Sequence, residues 1–353
     1  MSTEEIAIVA VAQTPSYRHY NDTEPSLLMT LVNQILADTK LDRHDIDFTI
    51  AGSCDYLSGL PFAFVSNVDG FGAWPPVYES HVEMDGAWAL FEAWVRLSMG
   101  DIDLALVAGS GKSSPGSPRE IFPLQTDPYY TAPLGFDPVS AAGLQAQALI
   151  DAGKATERDF AEVVSRSRRS ALANPNAQVA KDVSVDELLK EPYFASPLRK
   201  HDLPPISDGA SALLIARGDK ARELTDKPVW IRGIDHRMES HHLGLRDLTV
   251  SDSTRISAEK LGLKSGPVDV AELCVRYSPE EIILVEALGL SGETNINPSG
   301  GPLCGHPVMA SGLIRIIEVA ERIRSGEAQR GVGHAASGGA LQQNLLCLME
   351  GGA

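Results

Sequence analysis

Two residues of this 353-residue chain have the types and the surroundings expected of catalytic groups. His306 lies in the motif Gly305-His306-Pro307, at the start of an apolar segment with helical spacing. A histidine at the N-terminus of a buried helix can bind a developing oxyanion, because it meets the positive end of the helix dipole. A capping or core histidine is the alternative interpretation, and the local sequence favours neither.

Glu83 lies just ahead of a second apolar segment, which begins at Gly86 and ends at Met99-Gly100. A cysteine ahead of Gly86 would predict an enzyme that transfers acyl groups through a covalent intermediate. A carboxylate there is either a general base whose pKa desolvation has raised, or a structural group that stabilises the helix N-terminus. Both interpretations stay open at the level of sequence.

The elements that position these two residues alternate between strands and helices. Short β-branched runs indicate buried strands, and apolar residues at helical spacing indicate helices. The helix that begins at Gly86 has almost no polar face, so it must be covered on every side. We predict strands over residues 6–12, 46–51, 103–108, 211–216, 229–234, 268–273 and 343–349, with another ending at 336, and helices over 24–39, 86–98, 139–151, 157–171, 279–288 and 306–323.

An internal repeat is visible in the glycines. Gly86 and Gly100 are 14 residues apart, as are Gly312 and Gly326, and the two pairs are offset by 226 residues. Each pair brackets an apolar helix followed by a strand, which indicates two copies of one βα unit. The segment between them holds proline-rich turns and amphipathic helices. We therefore predict an α/β protein with an N-terminal half over 1–114, a helical insertion over 115–205 and a C-terminal half over 206–353.

Charge and cysteine content exclude several classes of protein. The net charge is −17 and no dense basic run occurs, which argues against nucleic-acid binding. A polyanionic substrate such as an acyl-CoA would need a local basic pocket. The four cysteines match no zinc pattern and favour a reducing cytosol, hence a cytoplasmic protein. The acidic start does not resemble a signal peptide, and no apolar run is long enough for a membrane span.

Three shorter motifs carry less information. The sequence GSGKSS over residues 109–114 hints at a phosphate-binding loop, but that motif requires a glycine where Leu106 stands. Gly331-Val332-Gly333 does not complete a dinucleotide-binding pattern, because residue 336 is alanine. The pair His241-His242 lies in polar loop sequence, where a solvated loop is favoured over a metal site.

Longer motifs make the chain similar to the thiolase superfamily. The segment NPSGGPLCGHPVMASG, residues 297–312, resembles the Gly-His-Pro block of the sterol-carrier-protein and lipid-transfer thiolase-like proteins. The segment VDVAELCVRYSPEEIILVEALGL, residues 268–290, resembles the one that carries His-Asp-Cys-Phe or Asn-Glu-Ala-Phe there. The resemblance implies a five-layered αβαβα fold with two repeated halves, a CoA thioester substrate and a dimer.

The residues that carry thiolase chemistry are altered in this chain. Glu83 takes the position of the nucleophilic cysteine, and Arg276 takes that of the cysteine in His-Asp-Cys-Phe. Cys274 takes the histidine position of that element, and Tyr277 its phenylalanine position. A carboxylate cannot carry an acyl group here without forming a labile anhydride. The resemblance therefore argues against an acyl-CoA thiolase or acyltransferase that works through two cysteines.

The histidine that survives suits a reaction with a thioester enolate but no acyl-enzyme. The chain resembles most the steroid side-chain aldol-lyases, which cleave tertiary β-hydroxyacyl-CoA esters to a ketone and a shorter acyl-CoA. This resemblance implies a carbon–carbon lyase with His306 as the oxyanion donor. It leaves Tyr277 as a proton donor or acceptor or as packing, Glu83 as a general base or a structural carboxylate, and Cys274 as a spectator.

The same resemblance implies partners and two further alternatives. We expect no cofactor on this chain, and a small partner with a zinc ribbon and an OB fold that would hold the zinc. The chain would form a homodimer, or a heterodimer with another thiolase-like chain. A supporting subunit of a heteromeric complex and a carrier without chemistry are the alternatives. His334 is a further candidate for the site, and Cys304 is interpreted as packing.

Overall fold

The predicted strands are all present, with shifted boundaries. A computed structural model describes residues 5–72 and 78–352; the acidic residues at the very start of the chain, used above against a signal peptide, lie outside this part. The strands are β1 (Ile6–Gln13), β2 (Phe48–Gly52), β3 (Glu79–Val82), β4 (Leu104–Lys112), β5 (Tyr193–Ala195), β6 (Leu198–Arg199), β7 (Ile206–Arg217), β8 (Val229–Met238), β9 (Val270–Glu272), β10 (Asn295–Ile296), β11 (His306–Pro307), β12 (Arg330–Ser337) and β13 (Gln343–Gly351).

The predicted helices are also present, and the described residues add several short ones. The α-helices are α1 (Glu24–Thr39), α2 (Asp55–Ser58), α3 (Phe64–Phe71), α4 (Gly86–Met99), α5 (Pro118–Ile121), α6 (Pro138–Asp151), α7 (Glu157–Ser170), α8 (Val185–Leu188), α9 (Gly218–Leu224), α10 (Asp252–Lys260), α11 (Ser278–Leu288) and α12 (Ser311–Ser325). No helix among these residues is long and apolar enough to cross a membrane.

The sheet repeats one topology twice. The strand order is β3-β2-β4-β7-β1 in the first half-sheet and β10-β9-β12-β13-β8 in the second, and β1 pairs with β8 where the halves meet. In each half the two outer pairs are parallel and the two inner pairs are antiparallel. The duplicated βα unit that the glycine spacing predicted is therefore present.

One strand differs from its predicted place. Strand β7 lies between β1 and β4 and completes the first half-sheet, although the sequence analysis assigned its residues to the C-terminal half. The reason is its antiparallel pairing with both neighbours, which a βα pattern along the sequence does not reveal. The three-part division of the chain as a whole stays a prediction.

Three apolar clusters define the layers. The central cluster contains α4 and α12 together with one face of each half-sheet. A second cluster packs α1 against the other face of the first half-sheet. The third packs α6, α7 and α11 against the other face of the second half-sheet. Two sheets with helices between and outside them form the five-layered αβαβα arrangement, and the insertion covers one outer face.

Local geometry explains three of the four repeat glycines. At Gly312 a Cβ would lie 2.5 Å from the Ala335 Cβ, so α12 packs against β12 only without a side chain there. Gly100 and Gly326 end α4 and α12 in the left-handed region, with φ of 73° and 87°. Helix α4 has no fully exposed residue from Gly86 to Leu97, but Phe91, Glu92 and residues 94–96 are half-buried, so the predicted coverage on every side is only partly present.

The predicted start of the second central helix is wrong. Residues His306–Pro307 form strand β11, which pairs in parallel with the start of β7, and α12 begins only at Ser311. The intervening Met309 has a φ of 73°, which no α-helix accommodates. His306 is therefore held by a strand, and it does not lie at the positive end of a helix dipole.

Candidate active site

All four predicted site residues line one cavity of about 1240 Å³. Glu83 comes from the loop before α4, Cys274 and Tyr277 from the loop between β9 and α11, and His306 from β11. The insertion supplies the opposite wall. The four residues thus lie at one place, and their roles stay predictions, because their chemical states depend on contacts that the sequence does not show. The insertion contributes both polar and apolar side chains to the wall, and the large apolar ones are Phe122, Leu134, Phe136, Val139, Leu144 and Phe194.

His306 is neutral at physiological pH. Burial, reinforced by the guanidinium groups of Arg276 and Arg315, lowers the pKa of His306 to about 3. Its backbone N–H donates to the Ser207 Oγ at 3.0 Å, which fixes the strand. Its Nδ1 is buried and has no hydrogen-bond partner among the described residues. Its Nε2 is not fully buried, and it makes no hydrogen bond with these residues either. A neutral imidazole has one N–H, so His306 can offer a single donor to a ligand in the cavity.

The N-termini of both central helices are closed by Asp85. This carboxylate is the N-cap of α4, where it accepts from Ala87 N–H at 2.9 Å, and it also accepts from the backbone N–H groups of Gly312 and Leu313 in α12. The N–H of Gly86 donates to the carbonyl oxygen of Met309 at 2.8 Å. These donors are the ones that would otherwise attract an anion at a helix N-terminus. Charge stabilisation in this cavity must therefore come from side chains.

Arg276 is held rigidly at the cavity wall. Its Nη2 lies 2.9 Å from Oε1 of Glu280, a carboxylate with no exposed surface, and its Nη1 donates to the carbonyl oxygen of Gly338 at 2.9 Å. Its Nε is buried without a partner. The guanidinium thus connects the N-terminus of α11 to the Ser337-Gly338 loop, which also lines the cavity.

Tyr277 keeps its proton. Burial raises the pKa of its phenol well above the usual value, and Glu280 adds to the effect more weakly than Arg276 opposes it. The resemblance left Tyr277 open as a proton donor, a proton acceptor or a packing residue. The carboxylate of Glu280 pairs with Arg276, and the loss of water outweighs the remaining attraction. The geometry therefore leaves proton donation, or packing, as the role of Tyr277.

Glu83 faces a thiol that the sequence analysis did not connect with it. Its Oε1 accepts from the backbone N–H of Asp55 at 2.6 Å, at the start of α2. Desolvation raises the pKa of Glu83 above its ordinary value, and the hydrogen bonds from Asp55 and the Cys54 thiol oppose this rise. A raised pKa is what a carboxylate base needs to act near neutral pH. Both interpretations of Glu83 stay open.

None of the four cysteines is activated. All are buried, and burial raises the pKa of each thiol: Cys274 to about 11, Cys304 to about 12, and Cys54 and Cys347 above the usual range. A thiolate nucleophile needs a lowered pKa, typically from a nearby cation or a helix N-terminus. Cys54 and Cys274 line the cavity as neutral thiols.

His334 lies behind the cavity wall, whereas the histidine pair lines the cavity itself. His334 is buried and does not line the cavity; its Nδ1 accepts from the backbone N–H of Cys274, and its Nε2 lies 3.0 Å from the Asn344 Oδ1. It supports the wall from behind. His241 and His242 are exposed at the cavity, and no cluster of three metal-ligating residues occurs among the described residues.

Charged side chains of both signs line the same cavity. The cationic residues are Arg18, Arg119, Arg168, Lys200 and Arg276, and the acidic ones are Glu83, Asp85, Asp137 and Glu191. The lining is therefore of mixed charge, and it is not the strongly basic pocket that a polyanionic acyl-CoA would need on an acidic chain. The cations come from separate segments, so no run in the sequence marked them.

Comparison with known proteins shows what the chain is similar to. No protein-family model matches it. It is 25% identical to the acetyl-CoA acetyltransferase of Methanothermobacter thermautotrophicus over 93% of each chain. It is 28% identical to chicken sterol carrier protein 2 over 74% of this chain and 54% of that protein.

Solved structures share the whole fold. The complex described as "Ltp2-ChsH2(DUF35) aldolase" matches over 98% of this chain and 97% of that one, with a TM-score of 0.80 and 19% identity. Human mitochondrial 3-ketoacyl-CoA thiolase matches over all of both chains, with a TM-score of 0.79 and 18% identity. Sequence and fold together make this chain similar to the thiolase superfamily.

This chain combines the framework of these similar proteins with a cavity lined by different residues. Its relatives include enzymes named as acyltransferases, and its structural neighbours include both a thiolase and an aldolase. Two residues of the site escaped sequence reasoning. Asp85 sits two residues after Glu83, and only the fold brings it to α12. Cys54 follows β2 whereas Glu83 follows β3, so nothing local in the sequence connects the two.

Proposed function

We propose that this chain is a carbon–carbon lyase that cleaves a β-hydroxyacyl-CoA by a retro-aldol reaction without an acyl-enzyme. The observation that carries the proposal is that no activated thiol lines the cavity, while His306 remains there as a neutral donor. Thiolysis through a ping-pong mechanism needs a thiolate, whereas stabilising an enolate needs only donors.

Each step of the proposed reaction has a candidate residue in the cavity wall. A base, for which Glu83 is the candidate, takes the proton of the β-hydroxyl group. The bond between Cα and Cβ breaks, its electron pair moves into the thioester as an enolate, and a ketone or aldehyde is released. His306 hydrogen-bonds the enolate oxygen. An acid, for which Tyr277 is the candidate, then protonates Cα and yields the shorter acyl-CoA. Cys274 takes no part in these steps.

The proposed substrate is a CoA thioester with a bulky apolar acyl group such as a sterol side chain. Ligand cavities commonly measure about 300–1,000 Å³, and the 1240 Å³ here, with the large apolar side chains that the insertion contributes, has room for such a group. The similarity to sterol carrier protein 2 and to an aldolase supports the same choice. The thioester is substrate, and the proposal requires no resident cofactor.

The proposal includes a partner and a compartment. The solved aldolase complex contains a DUF35 protein by its description, and we propose that this chain works with a comparable zinc-ribbon and OB-fold partner, as a homodimer or with another thiolase-like chain. We place it in the cytoplasm because its four cysteines are all unpaired.

A supporting subunit in a heteromeric thiolase-like complex is the second candidate. The observation that favours it is the ion pair between Arg276 and Glu280, which occupies part of the wall where the superfamily's second cysteine would stand. In that case the working site would lie on another chain.

A product assay separates the two. The chain, with and without the co-expressed partner, is incubated with a branched tertiary β-hydroxyacyl-CoA, and products are identified by mass spectrometry. Cleavage to a ketone and a shorter acyl-CoA is expected, with a rate about 10²–10³ lower in His306→Ala. The exposed His44→Ala serves as control and should retain full activity. No cleavage in either preparation would overturn the proposal, and co-purification with a second thiolase-like chain would then favour the supporting subunit.

A further inference from the structure

The charge balance of the cavity raises a question that the proposed reaction does not answer. A retro-aldol step leaves one negative charge on the thioester, yet His306 is neutral and the donors at both central helix N-termini are bonded within the protein. A single neutral hydrogen bond is a weak match for a full charge in a site shielded from water. A cation within reach of the same wall would correct this mismatch.

Arg276 has unused donors at this wall. A guanidinium carries five N–H groups. One on Nη2 is directed to Glu280, one on Nη1 donates to the Gly338 carbonyl oxygen, and the Nε–H is buried and unpartnered. Two N–H groups on the terminal nitrogens therefore have no partner among the described residues, and the side chain, 12% exposed, lines the cavity.

The contacts of Arg276 keep its guanidinium group charged and fixed in place. Glu280 is fully buried, and it also accepts from the backbone N–H of Arg276 at 2.8 Å, so the carboxylate fixes both ends of the residue. A buried cation without such a partner would be strongly destabilising. The charges of Arg276 and Glu280 nearly cancel at this point of the cavity. An anionic ligand can still bind the guanidinium through the two N–H groups that contact no described residue.

We propose that Arg276 is a catalytic residue that binds the negatively charged oxygen of the intermediate, together with the neutral donor His306. The inference rests on the proposed function and deepens it. Arg276 stands where the superfamily's second cysteine would be. A cysteine thiol that gains and loses a proton is thus replaced by a guanidinium that stays positively charged. Proton transfer to Cα then falls to another group, for which Tyr277 is adjacent in sequence.

The test uses a charged and a neutral mimic of the same shape. S-carboxymethyl-CoA places a carboxylate where the enolate would carry its charge, and S-carbamoylmethyl-CoA replaces it with an amide. Affinities are measured by titration calorimetry on the full chain. The wild type is expected to prefer the carboxylate by about tenfold or more, because hydrogen bonds to a charged group are the stronger ones.

The variants separate charge from architecture. R276Q/E280Q removes both charges and leaves no unpaired buried ion, and its preference for the carboxylate is expected to disappear. R276K retains the charge without the planar fork and should keep part of the preference, which a merely structural role would not predict. R255Q, at an exposed arginine on α10 far from the lining residues, is the control and should behave as wild type. In the cleavage assay R276Q/E280Q should lower kcat by about 10²–10³ with little change in KM.

The outcomes distinguish this inference from the proposed function. An unchanged carboxylate preference in folded R276Q/E280Q overturns the role of Arg276, whether or not the wild type cleaves its substrate. Loss of the preference in a chain whose wild type shows no cleavage supports the anion site while the aldol-lyase proposal fails. Loss of both the preference and the activity supports the two together.

Discussion

The Asp85 carboxylate accepts a hydrogen bond from the backbone N–H of Gly312 at 2.8 Å, although the residues are 227 positions apart in the chain. The same side chain accepts from Ala87 and Leu313, so one carboxylate caps the first turn of both central helices. Helix N-termini leave unsatisfied N–H groups that are costly when buried. This contact therefore joins the two halves of the fold at the floor of the cavity.

Asp85→Ala should destabilise the protein more than the loss of an ordinary N-cap. A single cap contributes roughly 0.5–2 kcal/mol, and Asp85 serves two helices, so we expect a decrease of about 2–4 kcal/mol in the free energy of unfolding, measured by urea denaturation. Thr156→Ala, which removes the cap of α7 alone, is the matched comparison and should cost about 1 kcal/mol. Equal losses in the two variants would contradict the double cap.

Tyr277→Phe tests proton donation without disturbing the fold. The phenolic oxygen makes no hydrogen bond with the described residues and the pKa of Tyr277 is raised, so the variant should unfold like the wild type. If the hydroxyl protonates Cα, kcat should fall by about 10²–10⁴. Tyr193→Phe, at an exposed tyrosine, should leave kcat unchanged. Full activity of Tyr277→Phe in the cleavage assay would show that the ring only packs.

The pH profile of cleavage identifies the role of Glu83. A general base must be deprotonated, and desolvation raises the pKa of Glu83 above 4.5, so kcat/KM should rise with pH through that raised value. Glu83→Gln should lower kcat/KM by about 10²–10⁴ and remove this acidic limb. A variant that keeps both the rate and the limb would assign Glu83 to a structural role at the start of α2.

His334 should make stability depend on pH. Burial lowers the pKa of His334 to about 4, below the ordinary 6.5, so the unfolded chain binds a proton that the folded protein excludes. Stability should be complete above pH 6.5 and decrease as pH falls from 6.5 to 4, by roughly 2–3 kcal/mol for this group. His306 contributes with the same sign down to about pH 3. Denaturation of the wild type and His334→Gln at pH 7 and pH 4.5 should show a smaller difference for the variant; parallel behaviour would refute this account.

The fold could be predicted where local chemistry determines it. The apolar run from Gly86 to Leu97 and its C-terminal Gly100 define α4 whatever surrounds it, and the same holds for α1. The start of α12 could not be predicted, because His306–Pro307 is held by pairing with β7, a strand 100 residues earlier in the chain. Strand β7 itself was assigned to the wrong half for the same reason: its partners are remote in sequence.

The candidate site also has one part that the sequence reveals and another that depends on remote contacts. The resemblance to thiolase-like sequences was enough to select Glu83, Cys274, Tyr277 and His306, and these four residues line one cavity. Their protonation depends on burial and on neighbours such as Glu280 and Arg315, which no motif specifies. Asp85 carries no signature of its own, since an aspartate before a helix predicts only a cap of that helix.

Strand β7 also sets the order in which the protein can assemble during synthesis. It lies between β1 and β4, so the first strand of the chain has no permanent neighbour on that side until residues 206–217 leave the ribosome. By then the whole insertion, including its wall of the cavity, has already emerged. Until then, the nascent N-terminal half has an unpaired strand edge at β1. A chaperone that recognises exposed apolar strands would bind the chain at that stage.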